Sequence, residues 1–274
     1  MRKLYISIFF IIVMIVLAGC DNQTNSVNTS SNIKSSQTNL VNNADLNETD
    51  EKNNDKTNFE AAAKKQMAIP EEGETIAIIK VKNFGEMRVK FFENIAPKAV
   101  ENFITHSKQG YYNGLTFHRV INEFMIQGGD PTGTGTGGES IWGTGFGTEL
   151  SQDLVPYRGS LCMAMSSAPN SIGSQFFITQ ANYSEDMNKL MKQGGYPEEL
   201  LEQYKKYGGY LSLYLQYTVF GQVYEGLDVL DKIATVKTGS VPLVIDGVNY
   251  GNQDDKPVED VIIEKVEITT YKAD

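Results

Sequence analysis

Arg119 lies inside the apolar run L-T-F-H-R-V-I. A guanidinium keeps its charge and carries five N–H donors. Among apolar neighbours that charge is costly unless it finds partners. Other apolar runs bring Phe124, Met125 and Gln127, then Met163, then Gln175, Phe176 and Phe177. Two readings stand side by side. Arg119 is either one half of a structural ion pair, or the strong donor of a site with an apolar pocket and amide partners. A site of that second kind suits an uncharged substrate and a reaction without proton abstraction.

The remaining chemistry-bearing residues point elsewhere. Gly133–Gly138 contains a G-x-G-x-x-G match. That motif cradles phosphates only between a strand and a helix, and here further glycines follow at Gly143, Gly145 and Gly147. No nucleotide cofactor is expected. His118 sits in an apolar strand pattern, which predicts a buried, hydrogen-bonded structural histidine. His106, beside Ser107 and Lys108, reads as a surface residue. Cys162, between Leu161 and Met163, reads as a core thiol. Asp254 and Asp255 read as part of a solvated loop, not a metal pair. With 2 Cys and 2 His in 274 residues, neither a disulfide framework nor a Cys- or His-based metal centre is expected.

The elements that must position these residues are short. TIAIIKV (75–81) and GEMRVKFF (85–92) form a hairpin pattern turned at Asn83-Phe84. Asn94 precedes a capped amphipathic helix with Pro97 in its first turn and Val100, Phe103 and Ile104 on one face, ending at Gly110. LTFHRVI, FMIQGGD, GSLCMAM, QFFITQ and TVFGQV are strand-like, EGLDVLDKIA (225–234) is a second helix, and VIIEKVEITTY (261–271) is a closing strand. Many short strands and two helices imply a mainly β fold, a closed barrel capped by helices. Residues 184–210 interrupt it as a polar, helix-prone insertion broken at Gly194-Gly195 and Gly208-Gly209. Residues 238–257 read as a long loop, with Gly239, Pro242, Gly247, Gly251 and Pro257.

FHRVINEFMIQGGDPTGTGTGG (117–138), PNSIGSQFFIT (169–179) and YTVFGQV (217–223) resemble the cyclophilin family of peptidyl-prolyl cis-trans isomerases, over about Thr75 to Tyr271. The resemblance implies an eight-stranded antiparallel β-barrel with a helix at each end. It also implies rotation about X-Pro bonds of polypeptide clients, without cofactor or metal. Carried over, Arg119 is the catalytic arginine and Gln127 orients it and touches substrate. Phe124, Met125, Phe177 and Leu213 line the proline pocket, and Gln175 contacts the peptide. Ala164 and the backbone of Met165 hold the residue before proline. Tyr217 stands where many relatives carry a histidine. The family's cyclosporin-binding tryptophan falls near Ser212, so weak cyclosporin binding is expected. The usual L-D-G reads Leu213-Tyr214-Leu215, so that loop is expected to differ in shape.

The N-terminus reads as an address. Arg2 and Lys3 precede an apolar run from Leu4 to Leu17, too short for a bilayer-spanning helix of roughly 20 residues. It ends in L-A-G-C, which resembles a bacterial lipobox. That resemblance implies cleavage of residues 1–19 and lipidation of Cys20. Residues 20–60 then form an Asn/Ser/Thr-rich tether that cannot bury enough apolar area to fold, and 61–274 the globular domain. A helix is expected from about Phe59, ended by Pro70 and Gly73. Losing Arg2 and Lys3 takes the formal charge from −10 to −12. That charge argues against nucleic acid and leaves anchoring to the lipid. The expectation is a monomeric, lipid-anchored enzyme on the extracytoplasmic face of a bacterial membrane. A lipid-anchored chaperone or binding module with little turnover is the alternative. A solute-binding lipoprotein would show two α/β lobes, a pattern missing here.

Overall fold

The computed structural model describes residues 57–245 and 248–273. The segments expected to be a leader and a tether, up to residue 56, with Cys20, and also Gly247, lie outside the described residues. In chain order the elements are α1 (Phe59–Met67), β1 (Thr75–Val81), β2 (Gly85–Phe91), α2 (Pro97–Lys108), β3 (Arg119–Ile121), β4 (Met125–Gly128), β5 (Ser160–Met163) and β6 (Phe176–Thr179). They continue with α3 (Glu185–Gln193), α4 (Glu198–Tyr207), a 3-10 turn (Leu211–Leu213), β7 (Val219–Glu225), α5 (Leu227–Ala234), β8 (Thr238–Ile245), β9 (Val248–Pro257) and β10 (Ile263–Thr270).

Eight strands form one curled antiparallel sheet in the order β10-β1-β2-β7-β5-β6-β4-β3. The residues before β3 stitch its two ends together. Gly114 and Phe117 donate to the carbonyls of Ile263 and Val261, Ile263 donates back to Leu115, and Thr116 bridges Ile262. β1 alternates between a buried and a more open face, as a half-covered strand must. β5 and β6 are buried throughout, matching their near-continuous apolar sequence.

The core inside the curl is aromatic. Phe103 of α2 packs against Phe91, Tyr112, Phe176 and Phe220 at ring-centre distances of 5.1–5.9 Å. α5 adds Val229, Leu230 and Ile233 to the same core. The start of α2 departs from expectation. Its N-cap is Ala96, which has no capping side chain. The Glu149 carboxylate caps it from a distance instead, accepting from the amides of Lys98 (3.1 Å) and Ala99 (2.9 Å). His106 is also corrected. It is buried, and its Nε2 hydrogen-bonds the Glu139 carbonyl at 3.0 Å, because its turn of α2 faces the chain between β4 and β5.

The insertion builds a second, smaller core. α1, α3 and α4 bring together Phe59, Ala63, Met191, Leu200, Leu201 and Tyr204 with Tyr157 and Tyr214. Gln66 fastens α1 to the sheet. Its amide nitrogen donates to the Val155 carbonyl (2.7 Å), and its oxygen accepts from the Val155 amide (3.0 Å). After α4 the chain must turn back at Gly209, whose φ is +108° and whose missing Cβ would overlap the Pro156 carbonyl.

Residues 238–257 are not a loop. β8 and β9 pair as an antiparallel hairpin, a sheet of their own. The glycines and prolines that suggested a loop are absorbed by irregular register and by the hairpin's base, where Pro257 faces Thr238.

Candidate active site

The apolar wall of the site is one cluster. Met125 and Phe177, from neighbouring strands, pack with Leu213, Cys162, Leu154 and Val219, and Phe124, Ala164, Tyr210 and Tyr217 border them. Phe124, Met125, Ala164, Phe177, Leu213 and Tyr217 are in this group, whereas Met163 and Phe176 belong to the core inside the curl. Met165 lies beyond β5 at an exposed lip (36% exposed). The single 3-10 turn presents Leu213 to the cluster although L-D-G is missing, and the following Leu215 takes a left-handed φ of 57°. Tyr217 stands edge-on to Phe177 at 5.4 Å. Tyr210 was missed from the sequence. Its ring lies 4.3 Å from that of Phe124 and adds an aromatic side to the wall. The signal was an aromatic directly after Gly208-Gly209, at the insertion's exit.

Beside the wall runs a line of polar contacts. Arg119 and Gln127 face each other across β3 and β4, so their side chains share a face of the sheet. Arg119 Nη1 donates to Gln127 Oε1 at 3.4 Å, a long bond. Gln127 Nε2 donates to Gln175 Oε1 at 2.9 Å. Gln175 Nε2 donates in turn to the carbonyls of Gly135 (3.0 Å) and Gly137 (2.8 Å). Gly129 permits this closeness, since a Cβ there would sit 2.6 Å from the Ser174 carbonyl.

The Gly-rich loop holds an internal anion. The Asp130 carboxylate accepts from the amides of Thr132, Thr134, Gly135 and Gly137 and from the Thr132 hydroxyl. Burial alone would raise its pKa, but these bonds outweigh it and hold the carboxyl below its ordinary range. The amides that could cradle a phosphate therefore cradle Asp130, and no helix follows them.

Two sequence expectations change here. His118 is buried, as expected, yet neither ring nitrogen has a hydrogen-bond partner among the described residues. Burial lowers its pKa to about 4. Asp255 belongs to β9, not to a solvated loop, and its Oδ2 accepts from Arg119 Nε at 2.6 Å. Arg119 is thus one half of an ion pair, as the first of its two readings expects. Cys162 is a core thiol whose pKa is raised by burial. Among the described residues, no group of three or more His, Cys, Asp or Glu is arranged to hold a metal ion. A separate cleft lined by Lys98, Glu101, Trp142, Phe146 and Asn170 contains none of the residues above.

Arg119 keeps 37% of its side chain exposed. The site therefore offers cationic N–H donors beside an apolar wall. It can hold a ring and polarise a carbonyl next to it.

Comparison with known proteins agrees with this arrangement. The family model for "Cyclophilin type peptidyl-prolyl cis-trans isomerase/CLD" matches residues 76–268. A Staphylococcus epidermidis protein provisionally named a peptidyl-prolyl cis-trans isomerase is 47% identical over 194 residues, 70% of this chain and 91% of the relative. A Staphylococcus aureus counterpart with the same provisional name is 46% identical over the same shares. Among solved structures, a Cryptosporidium parvum cyclophilin-type isomerase, crystallised in the presence of the dipeptide Ala-Pro, superposes with a TM-score of 0.54. It is 32% identical, and the match covers 72% of this chain and 99% of that one.

Proposed function

The chain belongs to the cyclophilin-type peptidyl-prolyl cis-trans isomerases, enzymes of class EC 5.2.1.8, and from that premise we propose that Arg119 is its catalytic residue and that it serves secreted or surface proteins whose folding waits on proline. An X-Pro bond resists rotation through amide resonance, a barrier of about 18–20 kcal/mol. Uncatalysed exchange takes tens to hundreds of seconds. The enzyme must favour a twisted amide with a pyramidal nitrogen. Phe124, Met125, Phe177 and Leu213 hold the proline ring, with Tyr217 and Tyr210 at its side. The peptide carbonyl before the ring then swings while the ring stays fixed. Ala164 and the Met165 backbone seat the residue before proline. The Nη N–H groups of Arg119 other than the one bonded to Gln127 donate to the proline carbonyl and to the nitrogen lone pair as it loses conjugation. That stabilises the transition state more than the ground state. Gln127 holds one edge of the guanidinium, and Gln175 holds Gln127.

The observation that carries this reading is the juxtaposition of an exposed guanidinium edge, one hydrogen bond from Gln127, with the apolar cluster around Phe177. The Ala-Pro dipeptide used with the Cryptosporidium structure is a ligand of the expected class. The L-A-G-C sequence at Leu17–Cys20 supports a lipid anchor and an extracytoplasmic place of work. The polar tether then gives the domain reach from the membrane.

The test is proline-limited refolding of a reporter protein and isomerisation of a short X-Pro peptide, both with the full-length chain. Arg119→Ala is expected to lower kcat/KM about 100-fold, in the range seen when a single transition-state donor is removed. Unchanged rates in the variant would remove Arg119 from the mechanism. Absent turnover in a folded wild type would favour the alternative of a binding module.

A further inference from the structure

β9 is separate from the eight-stranded sheet, yet it lies beside β3 and sends two consecutive side chains towards β3 and the Gly-rich loop. Asp255 reaches Arg119 Nε at 2.6 Å, and Lys256 Nζ reaches the Gly133 carbonyl at 3.4 Å. In a regular strand neighbouring side chains point to opposite faces. The register explains the exception. Gly239 pairs with Lys256, but Val241 pairs with Gln253. Asp254 and Asp255 therefore stand together opposite Ser240. That is a β-bulge, a device that re-aims a side chain and is enriched beside active sites.

The root of the hairpin is also firmly held. Pro257 is buried and pairs with Thr238, and the Val258 amide donates to the Lys237 carbonyl. Asp255 is thus delivered from a fixed point. It is 26% exposed beside an Arg119 that is 37% exposed, so the pair is partly sheltered and the guanidinium is not sequestered.

A guanidinium held only by the 3.4 Å bond to Gln127 could rotate about its own axis. A charge-assisted bond at Nε supplies the second fixed point. These two points, with the covalent Cδ–Nε bond as a third, fix the orientation of the guanidinium plane, and the Nη2 group is left for substrate. We propose that Asp255 is a positioning residue for the isomerase: the bulge in β9 pins the Nε edge of Arg119 so that its Nη edge meets the proline carbonyl. This inference rests on the assignment of Arg119 as the catalytic residue.

The experiment uses the full-length chain and NMR exchange on an X-Pro peptide, which separates turnover at saturation from peptide affinity. Asp255→Ala is expected to lower turnover at least tenfold with peptide affinity within twofold. Asp255→Asn keeps an acceptor oxygen and is expected to recover a substantial part of that loss. In an Arg119→Ala background, Asp255→Ala is expected to have no further effect. The Arg119 Nε–H resonance of wild type is expected to move towards that of a free arginine in Asp255→Ala, while the rest of the amide spectrum is retained. Wild-type or faster turnover in Asp255→Ala overturns the proposal; faster turnover would make the contact a brake. An equal loss in the Arg119→Ala background also overturns it, because the effect would then be structural. If Arg119→Ala is itself fully active, the parent assignment fails. If Arg119→Ala is inactive and Asp255→Ala is not, only the role of Asp255 fails.

Discussion

His118 shows how a single buried residue ties stability to pH. Its ring is buried beside Arg119, and desolvation holds its pKa near 4, against an ordinary value of 6.5. Between those values the unfolded chain binds a proton that the folded chain refuses, so stability rises with pH across the window. Folding is expected to weaken as pH falls from about 6.5 to about 4, by on the order of 3 kcal/mol from this residue. Urea midpoints measured across that range check it, and His118→Phe should flatten the slope. Midpoints independent of pH in wild type would refute it. Asp130 acts in the same direction but at lower pH, because its carboxyl is held below its ordinary range by loop amides. Turnover is expected to behave differently. No acid or base takes part in the proposed step and a guanidinium keeps its proton. Initial rates should be level from pH 6 to pH 9, and a bell-shaped profile there would count against Arg119 acting as a fixed donor.

At the scale of elements, chain-distant partners complete what local sequence leaves open. α2 starts at Pro97 without a side-chain cap of its own. Glu149 supplies it, joining the favourable pull of the helix dipole on an anion to two amide bonds. Glu149→Ala is expected to cost about 0.5–2 kcal/mol of stability, read as a lower urea midpoint. No change would mean that water caps the helix equally well. The strands of the curled sheet were legible in sequence because their alternation or continuous apolarity matches their burial. The β8–β9 hairpin was not. Its signal was masked by Pro242, Gly239 and Gly251, and its register shifts twice, so no clean period of two runs through it.

For the whole molecule, two cores besides the apolar wall of the site share one chain. The larger lies inside the curled sheet, and the smaller joins α1 to the insertion through α4. Lys90, itself buried, donates to the Lys65 carbonyl near the end of α1 at 2.8 Å. Together with Gln66 this ties α1 to β2, β5 and β7. A chain whose formal charge is −10 gains nothing from anionic lipid headgroups. In the proposed reading, membrane attachment falls to acyl chains at Cys20, each contributing about 0.8 kcal/mol per buried CH₂. Cys20→Ser is expected to move the protein from the membrane fraction to the soluble fraction while leaving its isomerase rate unchanged. A variant that still sediments with membranes would show that something other than lipid holds it. Among the described residues, no helix is long and apolar enough to cross a membrane.

The sequence by itself determined the family, the strands of the curled sheet and six members of the apolar wall, Phe124, Met125, Ala164, Phe177, Leu213 and Tyr217. Those features are local. An arginine in F-H-R, amides in F-M-I-Q and S-Q-F-F, and short apolar runs carry their meaning within a few residues. Only the tertiary structure decided who meets them. Asp255 lies 136 positions from Arg119, Tyr210 reaches Phe124 across the insertion, and Glu149 caps a helix that begins about 50 residues earlier. Such contacts depend on how the sheet curls and where a bulge falls. Residues far apart along the chain leave no periodic trace of one another in a single sequence.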